Sequence, residues 1–445
     1  MVVRRTVVPL VATMLVALVG CGGSAQSAQS AQSAPTAQSP GGGQSQEPVA
    51  LMAQQARGPA ADPRAAGSAV TAVGAGLLDA VPATKNAAIS PYSVYAVLAM
   101  AAAGARGETK AQLDEFLRAG TAEPGECLTA VDAALADAVA SGAPSKGDPA
   151  VADTRPMTVR SANSLWADRG LTVRPEYLDR LARGFGTGMY QVNYRVDPEV
   201  ARRAINSWVD DRTATLIPEL IPHDKITRDT VLTLVNAVYL NAPWATEFLR
   251  PAGPSTFTTA DGRTVSVPLM SQTAGYAHAA GRGWTSVTIP YRGDRLAMTV
   301  IIPDAGRFDQ VRANLPAVLD TATTASAAGP VALSLPGFTV DTALSLSDQL
   351  RAAGVTDLFD PRSVDLSGIA GDPGYLVATD LVHRAVVKVD EKGTEAAAAT
   401  AMVFEATGAL AEPLPITVDR SFIFAVHDVS TGAPLFLGQV IDPTA

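Results

Sequence analysis

The sequence predicts an α+β protein built around one large domain, on three observations. Hydrophobic residues make up 47% of the 445 residues and charged residues 17%, so the chain can bury a large core and is not disordered as a whole. Segments with apolar residues at helical spacing come first. Strand-length runs of β-branched and apolar residues dominate from residue 232 onward without regular alternation with helices, which disfavours a parallel α/β sheet.

Residues 1–20 are read as a signal peptide. Arg4 and Arg5 precede the apolar run Thr6 to Val19, which falls short of the roughly 20 residues needed to span a bilayer but suits the core of a signal peptide. Leu18-Val19-Gly20-Cys21 resembles a bacterial lipoprotein signal, which makes Cys21 the expected lipidation site; an ordinary cleaved signal is the alternative. Either reading places the protein outside the cytoplasm, as a cell-surface lipoprotein or in secreted form. Residues 21–62 are rich in Ala, Ser, Gln and Gly, with AQS three times in succession from Ala25 to Ser33. They have almost nothing to bury and are expected to form a disordered linker. The globular domain is then 63–445, and Ser141 to Arg155 is taken as a surface loop within it. With Cys21 acylated, Cys127 has no partner for an internal disulfide and serves as small apolar filler.

The elements follow from spacing and capping. In ISPYSVYAVLAMAAAGARGETKAQLDEFL, Ser90 caps, Pro91 fits the first helical position, and Val94, Val97, Leu98 and Ala101 recur at helical spacing, which predicts a buried helix. In DPEVARRAINSWVDDRT, Asp197 caps and Pro198 opens. Val200, Ala204, Ile205, Trp208 and Val209 line one face and Glu199 can pair with Arg203, as on a surface helix. Strands are predicted at 232–240, 296–303, 381–389, 421–428 and 433–441. Asp261-Gly262, between FTTA and RTVSV, predicts a hairpin.

Several function classes are set aside. A net charge of −9 is the wrong sign for a phosphate-binding surface, so nucleic acid is not an expected partner. Cys21 and Cys127 form no CxxC, and His223, His278, His383 and His427 share no ligand spacing, so neither a metal nor a cofactor is expected. There is no GxSxG, HExxH or Walker loop, and GFGTG at 184–188 does not match GxGxxG and is read as a turn. The chain is therefore not expected to be an enzyme. His383 lies inside one apolar strand and His427 at the end of another, where a hydrogen-bonded structural role outweighs catalysis.

The most unusual segment runs from Lys392 to Pro415. Its four consecutive alanines suggest a surface helix beginning at Thr394. Read with period two, Thr394, Ala396, Ala398, Thr400, Met402, Phe404 and Ala406 form a face without a charge, while Glu395 and Glu405 fall on the other. The segment can be both loop and strand.

Over residues 65 to 445 the chain resembles a serpin. The resemblance rests on ISPYSVYAVLAM, GARGETKAQL, SANSLW, INSWVDDRT, LTLVNAVYLNAPW, IPYRGDRLAM, VVKVDEKGTEAAAAT and PLFLGQVIDP, in the family's order and at about its spacing. It implies three β-sheets, eight or nine helices and an exposed reactive-centre loop offered to a serine protease. It also implies that the cleaved loop inserts as a new central strand of sheet A while the protease is still acylated. By residue match, Ser90, Ser93, Asn163, Asn236 and His383 are the shutter beneath sheet A, and Trp244 is the breach residue where the loop enters. Glu391, Gly393, Thr394, Glu395, Ala396, Ala397, Ala398, Ala399 and Thr400 form the hinge. Counting 14 positions from Gly393 puts the reactive bond at Thr407-Gly408; the loop carries no Lys or Arg, so an elastase- or subtilisin-like target is expected. The partner is thus a serine protease bound covalently by a monomer, with the membrane reached only through the N-terminal lipid. One departure is LSLPGF, where Gly337 replaces the Lys that pairs, in many serpins, with the acid matching Glu391. A second is that Gly393 to Phe422 is one residue shorter than in common members, which bears on the bond's position. Two alternatives remain at this stage. One is a non-inhibitory serpin acting as carrier or chaperone, usually marked by a Pro, charge or bulk in the hinge, which the uncharged face of GTEAAAAT lacks. The other is a lipid-tethered ligand-binding lipoprotein, distinguished by unchanged stability after loop cleavage.

Overall fold

The helix that Ser90 and Pro91 open is buried along nearly its whole length, and sheets and helices are layered around it. A computed structural model describes residues 47–445 apart from 54, 118–121, 144–156, 214, 216, 252, 327, 379–380 and 395–411. In chain order these form β1 (Val49–Leu51), α1 (Pro63–Asp79), β2 (Ala87–Ile89), α2 (Pro91–Gly104), α3 (Gly107–Leu117), α4 (Pro124–Ser141), β3 (Thr158–Asp168), α5 (Pro175–Phe185), β4 (Met189–Val192) and α6 (Pro198–Arg212). There follow β5 (Leu232–Pro243), β6 (Pro254–Thr258), β7 (Thr264–Gly281), β8 (Trp284–Pro290), β9 (Leu296–Pro303), α7 (Phe308–Ala313), α8 (Leu315–Thr323), β10 (Ala328–Pro336) and β11 (Phe338–Ser345). The chain ends with α9 (Ser347–Ala352), β12 (Val382–Asp390), β13 (Gly393–Thr394), β14 (Leu414–Thr417), β15 (Phe422–Asp428) and β16 (Pro434–Val440).

Three helices start alike, with a short polar residue before a proline. The side chains of Asp62, Ser90 and Asp197 accept from the amides of Ala65, Ser93 and Val200 at 2.9, 3.3 and 3.0 Å, each satisfying one of the amides a helix start leaves free. Gly186, in the left-handed region at φ 60°, ends α5, which makes GFGTG a helix stop and turn ahead of β4. The predicted strands at 232–240, 296–303, 381–389, 421–428 and 433–441 appear as β5, β9, β12, β15 and β16 within a few residues. Asp261-Gly262 turns β6 into β7, with Gly262 at φ 84°.

The first sheet runs β1-β4-β3-β5-β13-β12-β11. The other strands form a continuous hydrogen-bonded array in which the long strand β7 links two parts. Residues 264–277 of β7 pair with β6 and β10, and β14 joins β10; residues 277–281 pair with β8, which leads through β9, β15 and β16 to β2. The α+β class with three sheets is thus as expected, and the described residues contain nine α-helices. α6 covers β3, β4 and β5 over a small separate core that includes Trp166, Tyr194, Ile205, Val209 and Val235. Glu199 bridges Arg203 at 3.7 Å as expected, but its shorter bonds, both 2.8 Å, are from the buried Arg202.

The structure differs from the expected linker at its C-terminal end. Val49–Leu51 forms an added edge strand on β4, the Arg57 guanidinium pairs with Asp132, and the Gly58 and Ala61 amides donate to the carbonyls of Arg183 and Glu126 at 2.8 and 3.0 Å. Low complexity ends near residue 46, and the short Ala- and Pro-rich stretch that follows gave no periodic signal for a segment whose backbone finds partners on the body. The expected surface loop Ser141 to Arg155 lies mostly outside the described residues.

α1 approaches the β15–β16 turn so closely that a Cβ on Gly67 would sit 1.9 Å from the carbonyl oxygen of Thr431, whereas one on Gly76 would meet nothing within 4 Å. Gly67→Ala is therefore expected to lower the thermal midpoint by several degrees. Gly76→Ala should raise stability by about 0.5–1 kcal/mol from helix propensity alone. Thermal melts of the two variants check the pair, and equal effects would contradict the packing described.

Candidate functional site

Two clusters meet on the first sheet, one beneath its centre and one at the end of β5 where β13 begins. Beneath the sheet, the Ser90 amide donates to His383 Nε2 at 3.0 Å, joining the start of α2 to β12. An acceptor Nε2 carries no proton, so the neutral ring is protonated on Nδ1. His383 is 1% exposed, and burial lowers its pKa from 6.5 to about 4. Ser93 lies one turn into the same helix, its hydroxyl buried without a hydrogen-bond partner among the described residues. Asn163 on β3 stands opposite Asn236 on β5 in the strand register. The sequence-assigned group of Ser90, Ser93, Asn163, Asn236 and His383 is thus distributed over α2, β3, β5 and β12, the strands on both sides of the β13 position.

At the end of β5, Trp244 is 1% exposed, and its ring lies on Tyr291 at 4.5 Å and 6° between planes, with Phe248 edge-on at 5.8 Å. Its backbone amide donates to the Lys392 carbonyl at 2.9 Å, its indole Nε1 to the Asp390 carbonyl at 3.0 Å, and the Phe248 amide to the Glu391 carbonyl at 2.7 Å. The chain leaving β12 is thus held over three residues. The Asp390 carboxylate accepts the Lys392 amide at 2.9 Å and tightens the turn. Burial pushes the Glu247 carboxyl above its ordinary range, opposed by Lys392 and Arg292.

The turn delivers Gly393 and Thr394 between two strands. Gly393 faces Pro243 on β5 and Asp390 on β12; Thr394 faces Ala242 and Val389. A Cβ on residue 393 would lie 2.3 Å from the Ala242 carbonyl oxygen and 2.7 Å from Pro243 Cα, so only glycine passes here. Thr394 is 3% exposed and its hydroxyl is 2.7 Å from that of Tyr291. Gly393 and Thr394 are thus held as strand residues between β5 and β12.

The remaining hinge positions Glu395, Ala396, Ala397, Ala398, Ala399 and Thr400, the bond Thr407-Gly408, and Cys21 lie outside the described residues. Gly337 sits against the Val389 backbone, 3.3 Å from its carbonyl oxygen to a built Cβ, and Glu391 has no ion pair among the described residues. Tyr291 was not singled out from the sequence, although it lies in IPYRGDRLAM, because its contact with Thr394 joins residues 103 positions apart.

Residues 68–443 match the family model described as Serpin (serine protease inhibitor). The chain is a serpin. It is 32% identical over 415 residues to Serpin-Z2A of Oryza sativa subsp. japonica, covering 82% of this chain and 93% of that protein. It is 30% identical over 377 residues to the human leukocyte elastase inhibitor, covering 80% and 93%. Among solved structures, the native state of the thermophilic serpin tengpin superposes with a TM-score of 0.71 at 23% identity, covering 89% of this chain and all of that one, which speaks for the fold. The expectation drawn from missing catalytic motifs, that the chain is simply not an enzyme, is corrected to a more specific classification: the matched family is defined by its action on serine proteases.

His383 and His427 are both buried, and burial lowers each imidazole to about 4. A folded pKa below the unfolded value near 6.5 means that the unfolded chain binds more protons between these limits. Stability is therefore complete above pH 6.5 and lost as pH falls toward 4, by about 1.4 kcal/mol per pH unit per histidine. Unfolding midpoints measured from pH 7.5 to 4.5 should decline below 6.5, and a flat profile would refute this account of the two rings.

Proposed function

We propose that this serpin inhibits serine proteases as a suicide substrate, and that its targets are elastase- or subtilisin-like. The observation that carries the reading is the seated hinge: Gly393 and Thr394 already lie as a strand between β5 and β12, ahead of a sequence whose inward face has no charge. The protease serine oxygen attacks the Thr407 carbonyl carbon, the bond to Gly408 nitrogen breaks, and the amine leaves with a proton. The acylated N-terminal side is then free to extend β13. About 14 residues at roughly 3.3 Å each carry the acyl-enzyme about 45 Å. Pairing on both edges adds on the order of 12 to 14 hydrogen bonds at about 1 kcal/mol net each, comparable to the whole stability of a typical domain, about 5–15 kcal/mol. The native state is then a metastable store released by insertion. Hydrolysis of the acyl bond competes, so small side chains at 396–400 favour trapping by speeding entry.

Specificity follows from the loop's composition. Thr407 is small and uncharged, and no Lys or Arg occurs between Thr394 and Ile416, so a pocket with an acid at its base gains nothing. A shallow apolar pocket accepts Ala406 or Thr407. The human relative's name, leukocyte elastase inhibitor, agrees with that class. Cys21 after an apolar signal supports a bacterial lipoprotein whose monomeric domain 63–445 acts outside the cytoplasm on a lipid tether.

Incubation with elastase, subtilisin and trypsin is expected to give SDS-resistant complexes with the first two and none with trypsin. The released C-terminal peptide should start at Gly408 by mass spectrometry; one starting at Ala411 moves the bond to Leu410, and efficient trypsin trapping overturns the specificity. Thr394→Arg should place a charge in the buried seat at a cost of several kcal/mol and convert the protein into a substrate that is cleaved without trapping. Undiminished complex formation by this variant would count against insertion.

A further inference from the structure

Thr394 is held by more than strand pairing. The Tyr291 hydroxyl is 2.7 Å from Thr394 Oγ1 and both side chains are buried, Tyr291 completely. Tyr291 belongs to a different layer from the hinge. It follows β8, and its backbone is fixed by a tight turn into β9: its amide donates to the Leu296 carbonyl at 2.9 Å, and its carbonyl accepts from the Asp294 amide at 3.0 Å. Trp244 lies flat on the ring at 4.5 Å. The phenol therefore has little freedom to turn, and its oxygen is presented to the seam between β5 and β12 from outside the first sheet. Burial raises its pKa above the ordinary value, so the hydroxyl keeps its proton, and either oxygen can donate.

We propose that Tyr291 is a positioning residue that latches Thr394 into the sheet before cleavage, and that this latch sets the partition between trapping a protease and being consumed by it. The proposal rests on the inhibitory reading for the partition, but not for the latch. Gly393 and Thr394 each make one residue pair on each edge. Pairing over these two residues gains little alone, and the Thr394 hydroxyl would be a buried polar group without the phenol. With the latch made, insertion continues a strand already begun and in register. Without it, the hinge spends time outside, and after acylation the seat must be found again while water attacks the acyl bond. Tyr291 thereby acts through Thr394, on the rate of strand entry, and not on the protease's cutting of the loop.

Tyr291→Phe removes the hydroxyl and keeps the ring stacked on Trp244. Thr394→Val removes the partner with little change of shape, and Thr394→Ser retains a hydroxyl. Two measurements separate the two halves of the proposal. Amide hydrogen exchange at Gly393 and Thr394 in the uncleaved protein needs no protease, and should accelerate about tenfold in Tyr291→Phe, the size expected for one lost hydrogen bond. With elastase, the stoichiometry of inhibition should rise several-fold in Tyr291→Phe and Thr394→Val, while the rate constant for loop cleavage stays within about twofold. Thr394→Ser should behave like the parent, and Tyr291→Phe combined with Thr394→Val should be no worse than either alone. Unchanged exchange and stoichiometry in Tyr291→Phe, or additive losses in the double variant, would overturn the latch. Slower cleavage together with a lowered global unfolding midpoint would overturn it in favour of a merely structural role. A parent protein that traps no protease defeats the inhibitory reading and the partition with it, and the exchange experiment still decides whether Tyr291 seats the hinge.

Discussion

Everything in this fold that bears on function meets at one seam between two strands. Gly393 and Thr394 occupy strand positions between β5 and β12, paired on both edges. A backbone edge left unfilled is costly or reactive, since its amides and carbonyls are obligatory hydrogen-bonding groups. Proteins usually blunt such edges; here the means of filling one is covalently attached to the adjacent strand. Beyond Gly393 and Thr394 the chain forms β14, which pairs in parallel with β10, so its two ends are held in different sheets.

That constraint explains why the residues around the seam are so heavily tied. Trp244 uses its amide and its indole nitrogen on the Lys392 and Asp390 carbonyls, and Phe248 takes the Glu391 carbonyl between them. These bonds anchor the loop's departure point without touching the strand that would follow. Beneath the sheet, the Ser90 amide to His383 bond ties β12 to the start of the buried helix α2. The contact is polar and directional, between two buried groups. Such a bond can be broken and replaced when strands part; interdigitated packing would resist sliding along the whole length.

How much of this was legible in the sequence depended on whether the governing interaction was local. Helix starts were legible because the cap and the proline are adjacent, as at Ser90-Pro91 and Asp197-Pro198. Strands β5, β9, β12, β15 and β16 were legible because apolar runs of that length have few other destinations. The docked segment around Val49 was missed, since its partners are backbone groups of β4, α4 and α5 that composition cannot report. That Thr394 can lie in a strand was legible from the period-two pattern. Its contact with Tyr291 was not, because Tyr291 follows β8 and stands 103 residues away. The ambiguity of the Ala-rich run between helix and strand was itself informative. Thr394, just before that run, is paired as a strand on both edges.

The same logic bears on why small residues are placed where they are. A side chain entering between two strands must pass their neighbours before it finds its own pocket, so bulk near the hinge delays the first steps, when few hydrogen bonds have been gained. Bulk further along is admitted after the strand is long enough to be held. From Ala396 to Phe404 the alternate positions read Ala, Ala, Thr, Met and Phe, with the bulkier side chains at the far end, before Ala406 closes the uncharged series. The two acids, Glu395 and Glu405, fall on the opposite parity, so neither has to be buried in any step. A sequence graded in this way suits a strand that enters from one end, and a surface helix would have no use for the gradient. The period-two pattern and the seated Thr394 therefore point in the same direction from independent starting points, one in the spacing of residues and the other in the register of a sheet.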